Sequence, residues 1–203
     1  MNLLHLDSSI LGQNSASRQL SASIVARLEA ANPNFSIRYR DLVAEPIPHL
    51  SSAHLAATTG AKIDADGTVQ KALSLGEEVL DEFLQADVVV AGVAFYNFTV
   101  PSQLKAWVDR ILVNGRTFRY GEAGPQGLAG GKKVVLAVTR GGYYGAGSPS
   151  ASLEHAESYL RGIFGFIGVT DVQVVIAEGL NVGPAERELA MASAAQQIAK
   201  LNV

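Results

Sequence analysis

Two hydrophobic periods alternate along this chain. Short apolar runs at 3–6, 36–39, 88–93, 133–138 and 172–177 read as strands, and amphipathic stretches at 16–31, 69–85, 101–113, 152–166 and 184–201 read as helices. Val88-Val89-Val90-Ala91-Gly92 and Val134-Val135-Leu136-Ala137-Val138 are apolar at consecutive positions, as strands covered on both faces require. Strand and helix in alternation predict a three-layer α/β sandwich: a five-stranded parallel sheet joined by right-handed crossovers, with helices on both faces. Asp66-Gly67-Thr68 marks one helix start, and Pro101 suits the first turn of another because its missing N–H costs nothing there. Residues 41–67 and 114–131 read as long connections rich in proline and glycine, of the kind that carries function.

The length, 203 residues, fits one domain spanning 1–203. Sixteen Lys and Arg against 19 Asp and Glu give a net charge of −3, which draws the chain to neither nucleic acid nor an anionic membrane. The absence of cysteine excludes disulfides, thiolate metal sites, iron–sulfur clusters and a catalytic thiol. The N-terminal residues lack a signal-peptide pattern, and no apolar run approaches the roughly 18 residues of a membrane span, so a cytoplasmic protein is expected. No metal site is expected either: His49 and His54 are paired in a loop without a matching third ligand. His5, inside a strand, reads as a structural histidine.

In an open parallel sheet ligands bind beyond the carboxyl ends of the strands, which directs attention to three loops. The first runs from Asp7 through Ser8, Ser9, Ser15, Ala16 and Ser17 to Arg18. Its hydroxyls and helix-terminal N–H groups could surround a phosphate, or could simply cap a helix. The second, Phe95-Tyr96-Asn97-Phe98, clusters aromatic rings around one amide and could support a flat ring system, or fill core beneath the next helix. The third, Thr139-Arg140-Gly141-Gly142, lets a ring approach bare backbone. No G-x-x-x-x-G-K-[ST] occurs, and no G-x-G-x-x-G follows the first strand; G-x-S-x-G is absent too.

Together these three loops resemble the FMN-dependent NADH azoreductases, also described as quinone reductases, of the flavodoxin-like superfamily. Further similarity runs through Arg40-Asp41-Leu42, Thr117-Phe118-Arg119-Tyr120, Gly165-Phe166-Ile167-Gly168 and Ala177-Glu178-Gly179. The resemblance implies a flavodoxin-like fold and one FMN per subunit, with Ser9, Ser15, Ala16 and Ser17 around the phosphate. It implies that Phe95, Tyr96, Asn97 and Phe98 line the isoalloxazine, and that Thr139, Arg140, Gly141 and Gly142 contact its other edge.

It further implies a homodimer with each flavin near the interface, where Tyr120, Tyr143, Tyr144 and Phe164 border the substrate pocket. The segment 143–147 departs from the family pattern. The expected reaction is ping-pong: NADH or NADPH delivers hydride to the flavin, and a quinone or an aromatic azo compound then takes the electrons, an azo bond needing two such cycles. Asn97 and the amides of Gly141 and Gly142 would stabilise charge on the reduced flavin. Arg140 and Arg161 are the candidates for a 2′-phosphate contact. A flavodoxin-type electron carrier, a nucleotide-free scaffold domain, and a nitro or quinone reductase with incidental azo activity are the competing readings.

Overall fold

The computed structural model describes residues 1–60 and 66–202; residues 61–65 of the first long connection, and residue 203, lie outside the described residues. Its strands are β1 (Asn2–Asp7), β2 (Ser36–Asp41), β3 (Val88–Ala94), β4 (Phe118–Gly121), β5 (Gly124–Gly127), β6 (Lys133–Thr139) and β7 (Asp171–Ala177). The helices are α1 (Ala16–Ala31), α2 (Ser52–Thr58), α3 (Gly67–Gln85), α4 (Ser102–Ile111), α5 (Glu157–Phe166) and α6 (Pro184–Ala199). Five strands form one parallel sheet in the order β2-β1-β3-β6-β7, in register from Leu3 opposite Val88 to Val138 opposite Ile176.

Alternate residues of the central strands feed two cores. Leu4, Leu6, Val89, Val93, Leu136 and Val138 pack with Phe83 of α3, Trp107 of α4 and Leu160 of α5. Leu3, Val88, Val90, Val135 and Ala137 pack with Leu20, Ile24 and Leu28 of α1 and Ile198 of α6. The period of two along each strand therefore covers both faces of the sheet, and the three predicted layers are present.

The chain leaves β1 toward β2 on one side and returns through α3 to β3 on the other. The strand order thus reverses between β1 and β3, which opens a crevice at their carboxyl ends. Close packing keeps it narrow. A Cβ on Gly92 of β3 would stand 2.5 Å from Asp7 Oδ1 and 3.2 Å from the Ser17 carbonyl, so only glycine lets the start of α1 lie against the sheet here.

Three local expectations are corrected. The connection 41–67 contains α2, and 114–131 contains the antiparallel hairpin β4–β5, whose Gly127 packs directly on the backbone of Gly168. The helix expected from residue 152 begins at Glu157. The Glu154 carboxylate accepts from the N–H groups of Ala156, Glu157 and Ser158 at 2.8–3.1 Å, and this sets the helix start there.

Candidate functional site

The loop after β1 is built to present donors. Ser15 caps α1, its Oγ accepting from the Arg18 N–H at 3.3 Å and lying 3.0 Å from Ser17 Oγ. First-turn N–H groups have no acceptor within a helix; Arg18 uses the cap, and no hydrogen bond among the described residues takes those of Ala16 and Ser17. Ser9 Oγ is 2.9 Å from the Tyr96 hydroxyl, which ties this loop to the one after β3. Arg18 does not point outward. Its Nε and Nη2 donate to the Ser9 carbonyl at 3.2 and 2.9 Å, while Nη1 and Nη2 clamp Asp41 at 2.7 Å each. Those hydrogen bonds hold the Asp41 carboxyl below its ordinary value.

Beneath the loop lies a buried polar chain. Ser21 Oγ donates to Asp7 Oδ1 at 2.8 Å and sits 3.0 Å from His5 Nε2, and the Tyr39 hydroxyl donates to Asp7 Oδ2 at 3.1 Å. Burial and the carboxylates of Asp7 and Asp41 push the Tyr39 hydroxyl up to about 12. Burial lowers His5, in agreement with its reading as a structural histidine.

The loop after β3 closes on itself. Tyr96 and Thr99 form an isolated bridge, and between them Asn97 and Phe98 adopt left-handed backbones with φ of 47° and 72°. Two positive φ values at the central positions describe a type I′ turn. Asparagine tolerates that geometry; a phenylalanine there is strained, and such strain concentrates where a side chain must be presented. Neighbouring loops hold the turn: His155 N–H donates to the Phe98 carbonyl at 3.0 Å, and Thr99 Oγ1 to the His155 carbonyl at 3.2 Å.

The loop after β6 supplies the facing wall. A cleft of about 510 Å³ is lined by Phe95, Asn97, Phe98, Gly141, Gly142, Tyr144, Asn181 and Val182. The N–H groups of Gly141 and Gly142 are used by no hydrogen bond among the described residues. A Cβ at Gly141 would lie 2.6 Å from the Asn181 amide nitrogen, so a larger residue there would displace the Asn181 side chain. A second cleft of about 520 Å³, lined by Ile10, Asn97, Pro101, Gln103 and Tyr159 among others, opens on the α4 side of the same turn.

The structure therefore brings together Ser9, Ser15, Ala16 and Ser17 in one loop, and Phe95, Asn97, Phe98, Gly141, Gly142 and Tyr144 around one cleft. Thr139 ends β6 beneath it. Two expectations change. Arg140 is only 2% exposed, and its guanidinium meets the carboxylates of Glu154, Glu157 and Glu178 at 3.1–3.3 Å; its side chain serves the scaffold and is not free for a 2′-phosphate. Phe164 is corrected: it is 1% exposed, on the face of α5 that packs into the core, and it lines neither of the two clefts. Tyr120, on the hairpin, is 70% exposed, and the ring of Tyr143 stacks over the backbone of Gly179. Sequence reading gave Glu178 no role at the site beyond its place in a family motif, and it missed Asn181 and Val182. They follow β7, whose loop borders the site by the same strand-end rule.

Among the described residues no cluster of three or more His, Cys, Asp or Glu could hold a metal ion, and no helix is long and apolar enough to cross a membrane.

Comparison with known proteins agrees with this geometry. The Flavodoxin_2 family model, described as a flavodoxin-like fold, matches residues 1–201. The chain is 58% identical over 204 residues to the FMN-dependent NADH:quinone oxidoreductase of Xanthomonas campestris pv. campestris, covering 100% of both. It is 56% identical over 202 residues to FMN-dependent NADH:quinone oxidoreductase 2 of Bradyrhizobium diazoefficiens, covering 100% of this chain and 99% of the other. Among solved structures, an azoreductase of Bacillus anthracis str. Sterne superposes with a TM-score of 0.89 at 30% identity, over 98% of this chain and 97% of that one. The chain belongs to the flavodoxin-like family, and within it to the FMN-dependent NADH:quinone oxidoreductases and azoreductases.

Proposed function

We propose that the protein is an FMN-dependent NADH:quinone oxidoreductase that also cleaves aromatic azo compounds. The observation that carries this reading is the meeting, at one end of the sheet, of a serine-lined helix N-terminus with an aromatic and glycine-walled cleft. One end suits a phosphate and the other a flat ring. The residues fit FMN on two counts: the free N–H groups of Ala16 and Ser17 beside the Ser15 and Ser17 hydroxyls, and the unused N–H groups of Gly141 and Gly142 on the wall of the cleft.

FMN, when bound, would supply two-electron carriage between NADH and a quinone or azo acceptor. Ser9, Ser15, Ala16 and Ser17 would hold its phosphate, with Arg18 fixing the loop from behind through the Ser9 carbonyl. Phe95, Tyr96 and Phe98 supply apolar contact and exclude water. Asn97 and the N–H groups of Gly141 and Gly142 present donors to negative charge in the cleft, fixed before reaction by the turn and by the loop after β7. The caged Arg140 leaves the cleft without that guanidinium as a partner for a 2′-phosphate, which supports NADH as the donor.

The same reading takes residues 1–203 as one FMN-binding domain, working in the cytoplasm as a homodimer with the flavin near the subunit interface. The exposed apolar side chains of Leu50, Leu55 and Tyr120 support the dimer. The test is the visible spectrum of the FMN-loaded protein under anaerobic conditions. Bleaching by NADH and recovery with a benzoquinone is the expected result; a protein that takes up no FMN, or holds FMN that NADH leaves oxidised, overturns the reading.

A further inference from the structure

Beyond the ends of β6 and β7 the two following loops stay joined. Gly179 N–H donates to the Gly142 carbonyl at 2.9 Å, Asn181 N–H to Gly141 at 2.9 Å, and Leu180 N–H to Arg140 at 3.2 Å. Glu178 opens the second loop and reaches back across the first. Its Oε2 collects three donors: the N–H of Tyr144 at 3.1 Å, the N–H of Gly145 at 3.1 Å, and Arg140 Nη1 at 3.3 Å.

A carboxylate oxygen that accepts from two consecutive backbone N–H groups fixes two peptide planes, and with them the direction in which the side chain between them leaves the backbone. That side chain is Tyr144. Its ring centroid lies 4.7 Å from that of Phe95 and 6.1 Å from that of Phe98, so it closes one side of the cleft. Gly145 leaves the carboxylate room, since a Cβ there would lie 3.0 Å from Glu178 Oε1. Arg140 anchors the carboxylate in turn, and it is itself immobilised by Glu154 and Glu157.

We propose that Glu178 is a positioning residue that sets the width of the acceptor cleft through Tyr144, and so discriminates between monocyclic and fused-ring acceptors. The inference rests on the quinone reductase reading given above. Held by Glu178, the Tyr144 ring stands at the wall of the cleft beside Phe95 and Phe98, where it would limit how far a second or third fused ring of an acceptor stacked on the bound flavin can extend. Released, the 143–145 segment keeps its covalent path but loses two backbone hydrogen bonds and an anchor, and the ring moves off Phe95 and Phe98.

The experiment compares FMN-loaded wild type, Glu178→Ala, Glu178→Gln, Tyr144→Ala and the Glu178→Ala/Tyr144→Ala double variant, with NADH as donor and 1,4-benzoquinone or 9,10-phenanthrenequinone as acceptor. The ratio of kcat/KM for benzoquinone to that for phenanthrenequinone is expected to fall about fivefold in Glu178→Ala, the size of one lost hydrogen-bonded contact. Tyr144→Ala should show the same fall, and the double variant no further one. Glu178→Gln keeps an acceptor oxygen for both N–H groups and is expected to stay near wild type.

Amide exchange supplies a second readout, with Tyr144 and Gly145 expected to exchange about tenfold faster in Glu178→Ala. An unchanged ratio in Glu178→Ala, an equal effect of that substitution with and without Tyr144, or unchanged exchange at both amides overturns the proposal. If wild type fails to bleach with NADH, the quinone reductase reading falls by itself, and the exchange rates still decide whether Glu178 holds the loop.

Discussion

Tyr96 and Thr99 exchange backbone hydrogen bonds in both directions, each of 3.0 Å, and so hold Asn97 and Phe98 between them in left-handed conformations. The amide of Asn97 is thereby presented to the cleft by backbone geometry alone. Asn97→Gly keeps that geometry at no steric cost, whereas Asn97→Ala should lower stability by about 1 kcal/mol. Both are expected to retain FMN and to slow its reduction by NADH. Stopped-flow bleaching measures this, and an unchanged rate in Asn97→Gly would show that the amide takes no part.

Ser15 and Ser17 are neighbours with different duties. Removing the cap in Ser15→Ala should cost about 1 kcal/mol of stability as well as weakening FMN binding. Ser17→Ala leaves the cap in place and should weaken FMN binding about fivefold with the melting temperature nearly unchanged. Thermal melts of the apoprotein beside fluorescence titrations with FMN separate the two. Equal behaviour of the variants in both measurements contradicts the division.

Gly92 is a packing requirement that reads out at the ligand loop. Gly92→Ala places a methyl group against Asp7 and the Ser17 carbonyl, and such overpacking costs about 1–3 kcal/mol. The first turn of α1 should shift away from the sheet, lowering both the urea midpoint and FMN affinity. A variant that keeps both contradicts the close approach described here.

Burial lowers His5 from its ordinary value of 6.5, so the folded protein holds it neutral. As pH falls through 6.5 the unfolded chain binds that proton first. The stabilisation is complete above 6.5 and is lost progressively below it. Wild type should therefore lose more stability than His5→Gln between pH 7.5 and about 5. Urea unfolding across that range tests the difference; burial and the charge of Arg110 lower His54 as well, but it contributes equally to both proteins.

The sheet was legible because Val88-Val89-Val90 and Val134-Val135 are β-branched and apolar on both sides, a pattern that little else explains. The hairpin escaped notice for the opposite reason. Phe118-Arg119-Tyr120-Gly121 and Gly124-Pro125-Gln126-Gly127 are exposed and glycine-rich, so no apolar face marks them. Among site residues, those on the three strand-end loops were found because short polar and aromatic side chains cluster there in sequence. Arg140 was misread because its carboxylate partners Glu157 and Glu178 lie 17 and 38 residues away, and only the fold brings them together. Phe164 was misread because an aromatic residue on an amphipathic helix looks the same in sequence whichever face it occupies.

The guanidinium of Arg140 joins the loop after β6, the approach to α5 and the loop after β7. In this it does the work of a crosslink, in a chain that has no cysteine with which to make one. Quinones are electrophiles that alkylate thiols. A rim stapled by a buried ion cluster offers such substrates no sulfur to arylate, and reducing conditions have no bond there to break. The enzyme's mouth is in that sense inert toward its own reagents.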